Sequence, residues 1–105
     1  LKDVWSRKEG AIVLSAHIGN WELFPRAMVA HGNRVSVVVK KISSPYYQAF
    51  IERLRKSWGF DIIYSGNALE KVKSAVRSGH LVGFMADQHM PGSRGIETRF
   101  FGAPA

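Results

Sequence analysis

The chain contains no cysteine. That excludes disulfide bridges, thiolate zinc sites, iron–sulfur clusters and a cysteine nucleophile. Nowhere does it reach the ~20 consecutive apolar residues that a membrane-spanning helix needs. Residues 1–10 are charged and lack the apolar core of a signal peptide. Acids are scarce: eight Asp and Glu stand against fifteen Lys and Arg, a formal charge of +7. Such a surplus favours acidic partners, whether phosphorylated small molecules, acidic protein, anionic lipid or nucleic acid, without choosing among them. What the chain does have is a core. Of its 105 residues 46% are apolar or aromatic, including three Trp, three Tyr and six Phe, which fits one compact domain and not a disordered tail. It starts at Leu1 and stops on the apolar run Phe100-Phe101-Gly102-Ala103-Pro104-Ala105. An apolar stop is unusual for a natural terminus and is expected of a piece of a longer protein.

Ala11-Ile12-Val13-Leu14-Ser15-Ala16 reads as a strand buried on both faces. Residues 19–31 read as a helix closed by Gly32-Asn33, with Pro25 requiring either a later start near Trp21 or a bend. Residues 34–39 are β-branched and form a second strand. Ser44-Pro45 opens a helix whose apolar stripe is Tyr47, Phe50, Ile51, Leu54 and Trp58, the spacing of one helical face. Residues 61–64 are a third strand. Asn67 caps a helix with Leu69, Val72 and Val76 inward and Lys71, Lys73 and Arg77 outward, and residues 81–86 are a fourth strand. Residues 88–95 read as loop and residues 97–101 as a fifth strand. Strands alternating with helices predict an α/β fold with a mostly parallel sheet flanked by helices, and ligands bind such sheets beyond the strands' carboxyl ends.

That rule singles out His17, which follows the first strand, and Asp87, which follows the fourth: parallel strands bring both to one edge. Glu22, five residues after His17, is placed to reach back to it, because helical side chains lean toward the helix N-terminus. A carboxylate on one imidazole nitrogen fixes the tautomer and leaves the other nitrogen able to take a proton from a hydroxyl. The same residues also fit plainer roles: His17 as a satisfied strand-end histidine, Glu22 as half of a capping box with Gly19. The spacing is not that of a paired-histidine zinc helix, so no metal site is expected. Ser15 lacks the flanks of a nucleophile elbow, and His31, His80 and His89 read as surface or loop residues. Among the cations Arg53, Arg55 and Lys56, Arg55 lies one turn after Ile51, beside the apolar stripe, where it can pair with a carboxylate or phosphate. The run from Asp87 to Gly95, with Gln88 and Arg94, could present backbone N–H groups to an anion.

Together these segments resemble a known family. His17-Ile18-Gly19-Asn20-Trp21-Glu22 is similar to the His-x4-acid motif of the glycerolipid and lysophospholipid acyltransferase superfamily, and its filling to the lipid A biosynthesis (lauroyl/myristoyl) acyltransferase branch. Asp87-Gln88 is similar to that branch's Asp-Gln element and Phe100-Phe101-Gly102-Ala103-Pro104-Ala105 to its Phe-Phe-Gly-x-Pro-Ala element, in the same order. Where family members carry an Arg-containing basic stretch after the second strand, this chain has Lys40-Lys41-Ile42-Ser43-Ser44-Pro45.

The resemblance implies that residues 1–105 are part of a single acyltransferase domain with a glycerolipid-acyltransferase-like fold, incomplete at both ends. It implies O-acyl transfer from an acyl-carrier-protein or acyl-CoA thioester to a hydroxyl of a lipid or glycolipid, at the cytoplasmic face of the bacterial inner membrane and without a cofactor. His17 would be the general base, Glu22 its orienting acid, and N–H groups at Gly19 and Asn20 the oxyanion donors. Arg55 and Asp87 would hold a phosphorylated acceptor and order the site. An acidic carrier protein and an anionic membrane surface both suit the +7 balance. The rival expectation is a non-catalytic basic module for nucleic acid or anionic membrane. It rests on charge alone. The cations are scattered and the helix aromatics fall on the inward stripe, so nucleic acid is not expected as a partner.

Overall fold

The β-branched runs form four parallel strands: β1 (Ala11–Ser15), β2 (Val35–Val39), β3 (Asp61–Tyr64) and β4 (Leu81–Met85). Three helices join them in this computed structural model, which describes residue 7, residues 9–88 and residues 98–104. They are α1 (Leu23–Ala30), α2 (Pro45–Ser57) and α3 (Ala68–Arg77). The sheet order is β1-β4-β2-β3, so β4 returns to lie between β1 and β2. Right-handed crossovers then put α1 and α2 on one face and α3 on the other. The core divides accordingly. Met28, Val35, Phe60 and Leu81 pack with Trp58 on the first face, and Ile63, Val72 and Val82 pack on the second.

Local chemistry sets the helix ends. The Ser44 hydroxyl accepts from the Tyr47 N–H at 3.5 Å, and Pro45 fills the first position of α2. α1 starts only at Leu23, which leaves Pro25 in the first turn, where its missing N–H costs nothing. Glu22 sits at the cap position with helical backbone angles and makes no side-chain cap, so the capping box is not formed. Gly10 is required by a close approach: a Cβ there would lie 1.8 Å from the Val76 carbonyl oxygen. Gly10→Ala must push α3 away from the start of β1. It is expected to cost about 1–3 kcal/mol, measured by denaturant unfolding.

Several expectations are corrected. Tyr47 and Phe50 of α2 and Leu69 of α3 are exposed, not inward. α2 instead turns Gln48, Ile51, Glu52 and Arg55 toward the body, where all four are half-buried. An apolar stripe marks an amphipathic helix but not the surface that covers it, and the polar groups on the other side find partners of their own. The exposed aromatics remove one ground against a nucleic-acid surface; the scatter of the cations remains. His80 is buried rather than superficial, its Nδ1 2.8 Å from the Ser36 hydroxyl, itself buried. Residues 99–104 do not extend the main sheet. β5 (Arg99–Phe100) and β6 (Ala103–Pro104) pair antiparallel around Phe101-Gly102, whose φ values of 51° and 83° suit a two-residue hairpin loop. Of the expected loop at 88–95 only Gln88 is described; His89, Arg94 and Glu97 lie outside the described residues. The edge strand β1 leaves Ile12 and Leu14 exposed. Among the described residues, no helix is long and apolar enough to cross a membrane.

Candidate active site

Strand register builds the site. β1 pairs β4 with Ser15 opposite Met85, and the Ala86 N–H donates to the Ser15 carbonyl at 3.0 Å. Two residues further along each strand, His17 and Asp87 are therefore level and on the same side. They make two contacts. The His17 backbone N–H donates to Asp87 Oδ2 at 2.8 Å, and His17 Nδ1 lies 2.8 Å from Asp87 Oδ1. An ionised carboxylate only accepts, so Nδ1 is the donor, and in the neutral ring the lone pair is on Nε2. The two donations from His17, backbone first, hold the Asp87 carboxyl below its ordinary pKa. Trp21 stands against the imidazole edge-on, ring centres 5.2 Å apart. The side chains of His17 and Asp87 remain 34% and 35% exposed, so the pair is open to a substrate.

Glu22 does not reach His17. It accepts from Arg55: the guanidinium Nε is 3.2 Å from Glu22 Oε2, and a terminal amine bonds Oε1. The physical reason is the long reach of Arg55. Its side chain leans toward the start of α2 and arrives at the head of α1. The fork geometry suits a carboxylate, and the pair is largely enclosed, with 12% of Arg55 and 28% of Glu22 exposed. Arg55 thus meets a carboxylate, one of the two anions its position allowed, and that carboxylate is the one expected on His17.

Between these two pairs lies the turn 18–22. Gly19 has φ +63°, and among the described residues no heavy atom beyond its chain neighbours lies within 4 Å of where its Cβ would stand. The Leu23 N–H bonds the Asn20 carbonyl and the Phe24 N–H the Trp21 carbonyl. Among the described residues, none accepts from the N–H groups of Gly19 or Asn20, which lie two and three positions from His17. Sequence reasoning gave no role to Trp21. The signal was its place four residues after His17, on the same turn. It also assigned Asp87 to substrate, although the equal two-residue offset from paired strand ends is the clue to its contact with the imidazole.

The arrangement is an oriented imidazole whose second ring nitrogen has no partner among the described residues, set at the carboxyl edge of a parallel sheet beside N–H groups that no described residue accepts from. That is equipment for general-base chemistry on a hydroxyl with stabilisation of an oxyanion. The sequence profile of the family described as bacterial lipid A biosynthesis acyltransferase matches residues 1–105. No curated protein matches the chain. The match runs through the histidine turn, the aspartate after β4 and the closing Phe-Phe-Gly hairpin alike, and this chain belongs to the bacterial lipid A biosynthesis acyltransferase family.

Proposed function

We propose that the protein moves a fatty acyl group from a thioester, on acyl carrier protein or coenzyme A, to a hydroxyl of a lipid or glycolipid acceptor. The observation that carries this reading is the double contact between His17 and Asp87, which leaves His17 Nε2 as a base. Nε2 takes the hydroxyl proton as the oxygen attacks the thioester carbonyl. Gly19 and Asn20 N–H groups receive the oxyanion. The carbon–sulfur bond then breaks, and the imidazolium returns its proton to the leaving thiolate, giving ester and thiol. The scheme needs no acyl-enzyme. Asp87 takes the orienting role first expected of Glu22, and the Glu22–Arg55 pair fixes the turn that carries His17 and the oxyanion donors. The acceptor and the donor's carrier meet the protein at the cytoplasmic surface of the inner membrane, where anionic lipid complements the basic chain.

The test is an assay of the full-length protein with acyl-carrier-protein thioester, acyl-CoA and a lipid A precursor. One ester should form for each thiol released. Thiol release without an ester product, or no release from either donor, overturns the proposal.

A further inference from the structure

One hydrogen bond does not fix a ring. With His17 Nδ1 on Asp87 Oδ1 at 2.8 Å, the imidazole can still tilt about that contact. Each tilt moves Nε2, the atom on the far side of the ring. The His17 backbone is held more firmly. Its N–H is on Asp87 Oδ2, and the Ile18 N–H bonds the Ala16 carbonyl at 2.8 Å, a three-residue turn centred on His17. The side chain is partly exposed, so packing does not enclose it. The other contact to the ring is Trp21. The ring centres are 5.2 Å apart and the planes lie at 75°, one of the arrangements that aromatic pairs prefer.

Trp21 is itself fixed. It is half-buried, and its carbonyl accepts from the Phe24 N–H at 3.3 Å where α1 begins. The next residue, Glu22, is held by Arg55 of α2. The imidazole therefore spans two anchors. Asp87 ties it to the end of β4, and Trp21 ties it to the head of α1. The proposed transfer scheme gives Trp21 no part. Its indole offers one N–H donor and no atom that takes up a proton, so any effect on the reaction passes through the ring it touches.

We propose that Trp21 is a positioning residue for the base: its indole limits the tilt of the His17 ring and so sets where Nε2 points. This rests on the acyl-transfer reading of the same site and deepens it. Asp87 decides which ring nitrogen carries the proton, and Trp21 decides the direction of the other. The two roles leave different marks. Loss of Trp21 keeps the Nδ1 proton on Asp87 and frees the ring to move. A base works only when aligned with the hydroxyl it deprotonates, so the loss falls on kcat and not on binding of the acceptor.

The experiment uses the full-length protein, acyl-carrier-protein thioester and a lipid A precursor. Trp21→Leu is expected to lower kcat about tenfold, the upper end of what one such ring contact is worth, with KM for donor and acceptor little changed. Trp21→Phe keeps an aromatic ring and should recover most of kcat. A second measurement reads the ring without turnover: carbon relaxation in histidine-labelled protein, with the His17 signal identified by its loss in His17→Ala. In the wild type the ring should be as ordered as rigid backbone, an order parameter of about 0.85. It should loosen in Trp21→Leu and tighten again in Trp21→Phe. That pattern supports the positioning role even if no acyl transfer is found and the catalytic reading fails. A mobile His17 ring in the wild type overturns the proposal whether or not the variants fold. So does an unchanged kcat in Trp21→Leu, a rise in KM alone, or a kcat loss that Trp21→Phe does not recover.

Discussion

His17→Ala is expected to abolish acyl transfer, a loss on the order of 10⁴ or more from the removal of a positioned base. The folded state should barely notice, because the side chain is 34% exposed and gives up one partly solvated hydrogen bond. Asp87→Asn makes the sharper variant. An amide that donates toward Nδ1 forces the imidazole proton onto Nε2, where a base cannot use it, so kcat should fall by about 10² to 10⁴ with KM little changed. Its pH behaviour is also fixed in sign. The folded Asp87 carboxyl titrates below its unfolded value, so its contribution to stability is present above about pH 4 and is lost as pH falls through the depressed value. The Asn variant should lack that part of the acid-side loss. Turnover and acid titration of purified full-length variants decide the matter, and wild-type turnover by His17→Ala removes the mechanism.

The alternation of β-branched runs and helices carried the fold class because strand and helix periods differ so plainly in this chain. Ser44-Pro45 gave the start of α2 for an equally local reason, a hydroxyl cap and a ring that needs no N–H partner. Sheet order was not readable in the same way. Nothing within residues 81–85 records that they lie between β1 and β2, and the pairing of Ser15 with Met85 is a tertiary fact. The shared edge of His17 and Asp87 followed from parallel strands, but which carboxylate would meet the imidazole did not. Sequence proximity pointed to Glu22, and strand register delivered Asp87 from seventy residues away. The same limit explains α2. Gln48, Glu52 and Arg55 look like a solvated face until Tyr64 and Glu22 arrive from elsewhere in the chain to satisfy them.

That exchange of partners makes the Glu22–Arg55 pair the second large test. If the two act as one clamp, Glu22→Ala and Arg55→Ala should look alike. Each leaves a largely enclosed partner without its counter-charge, which should cost about 1–3 kcal/mol of stability. The double variant should cost less than the sum of the singles, with a coupling of about 1–2 kcal/mol. Transfer should fall by a similar factor in both singles, about 10- to 100-fold, because a loosened turn misplaces His17 and the Gly19 and Asn20 N–H groups together. A clamp that acts only through position predicts that Arg55→Ala lowers kcat and leaves KM for the acceptor little changed. The competing mechanism, with Glu22 acting on the imidazole directly, predicts a kcat loss for Glu22→Ala of about 10² to 10⁴ that Arg55→Ala does not share. A double-mutant cycle followed by both unfolding and turnover separates the two. Matched losses in stability and kcat place Glu22 with Arg55, and a kcat loss confined to Glu22 returns it to His17.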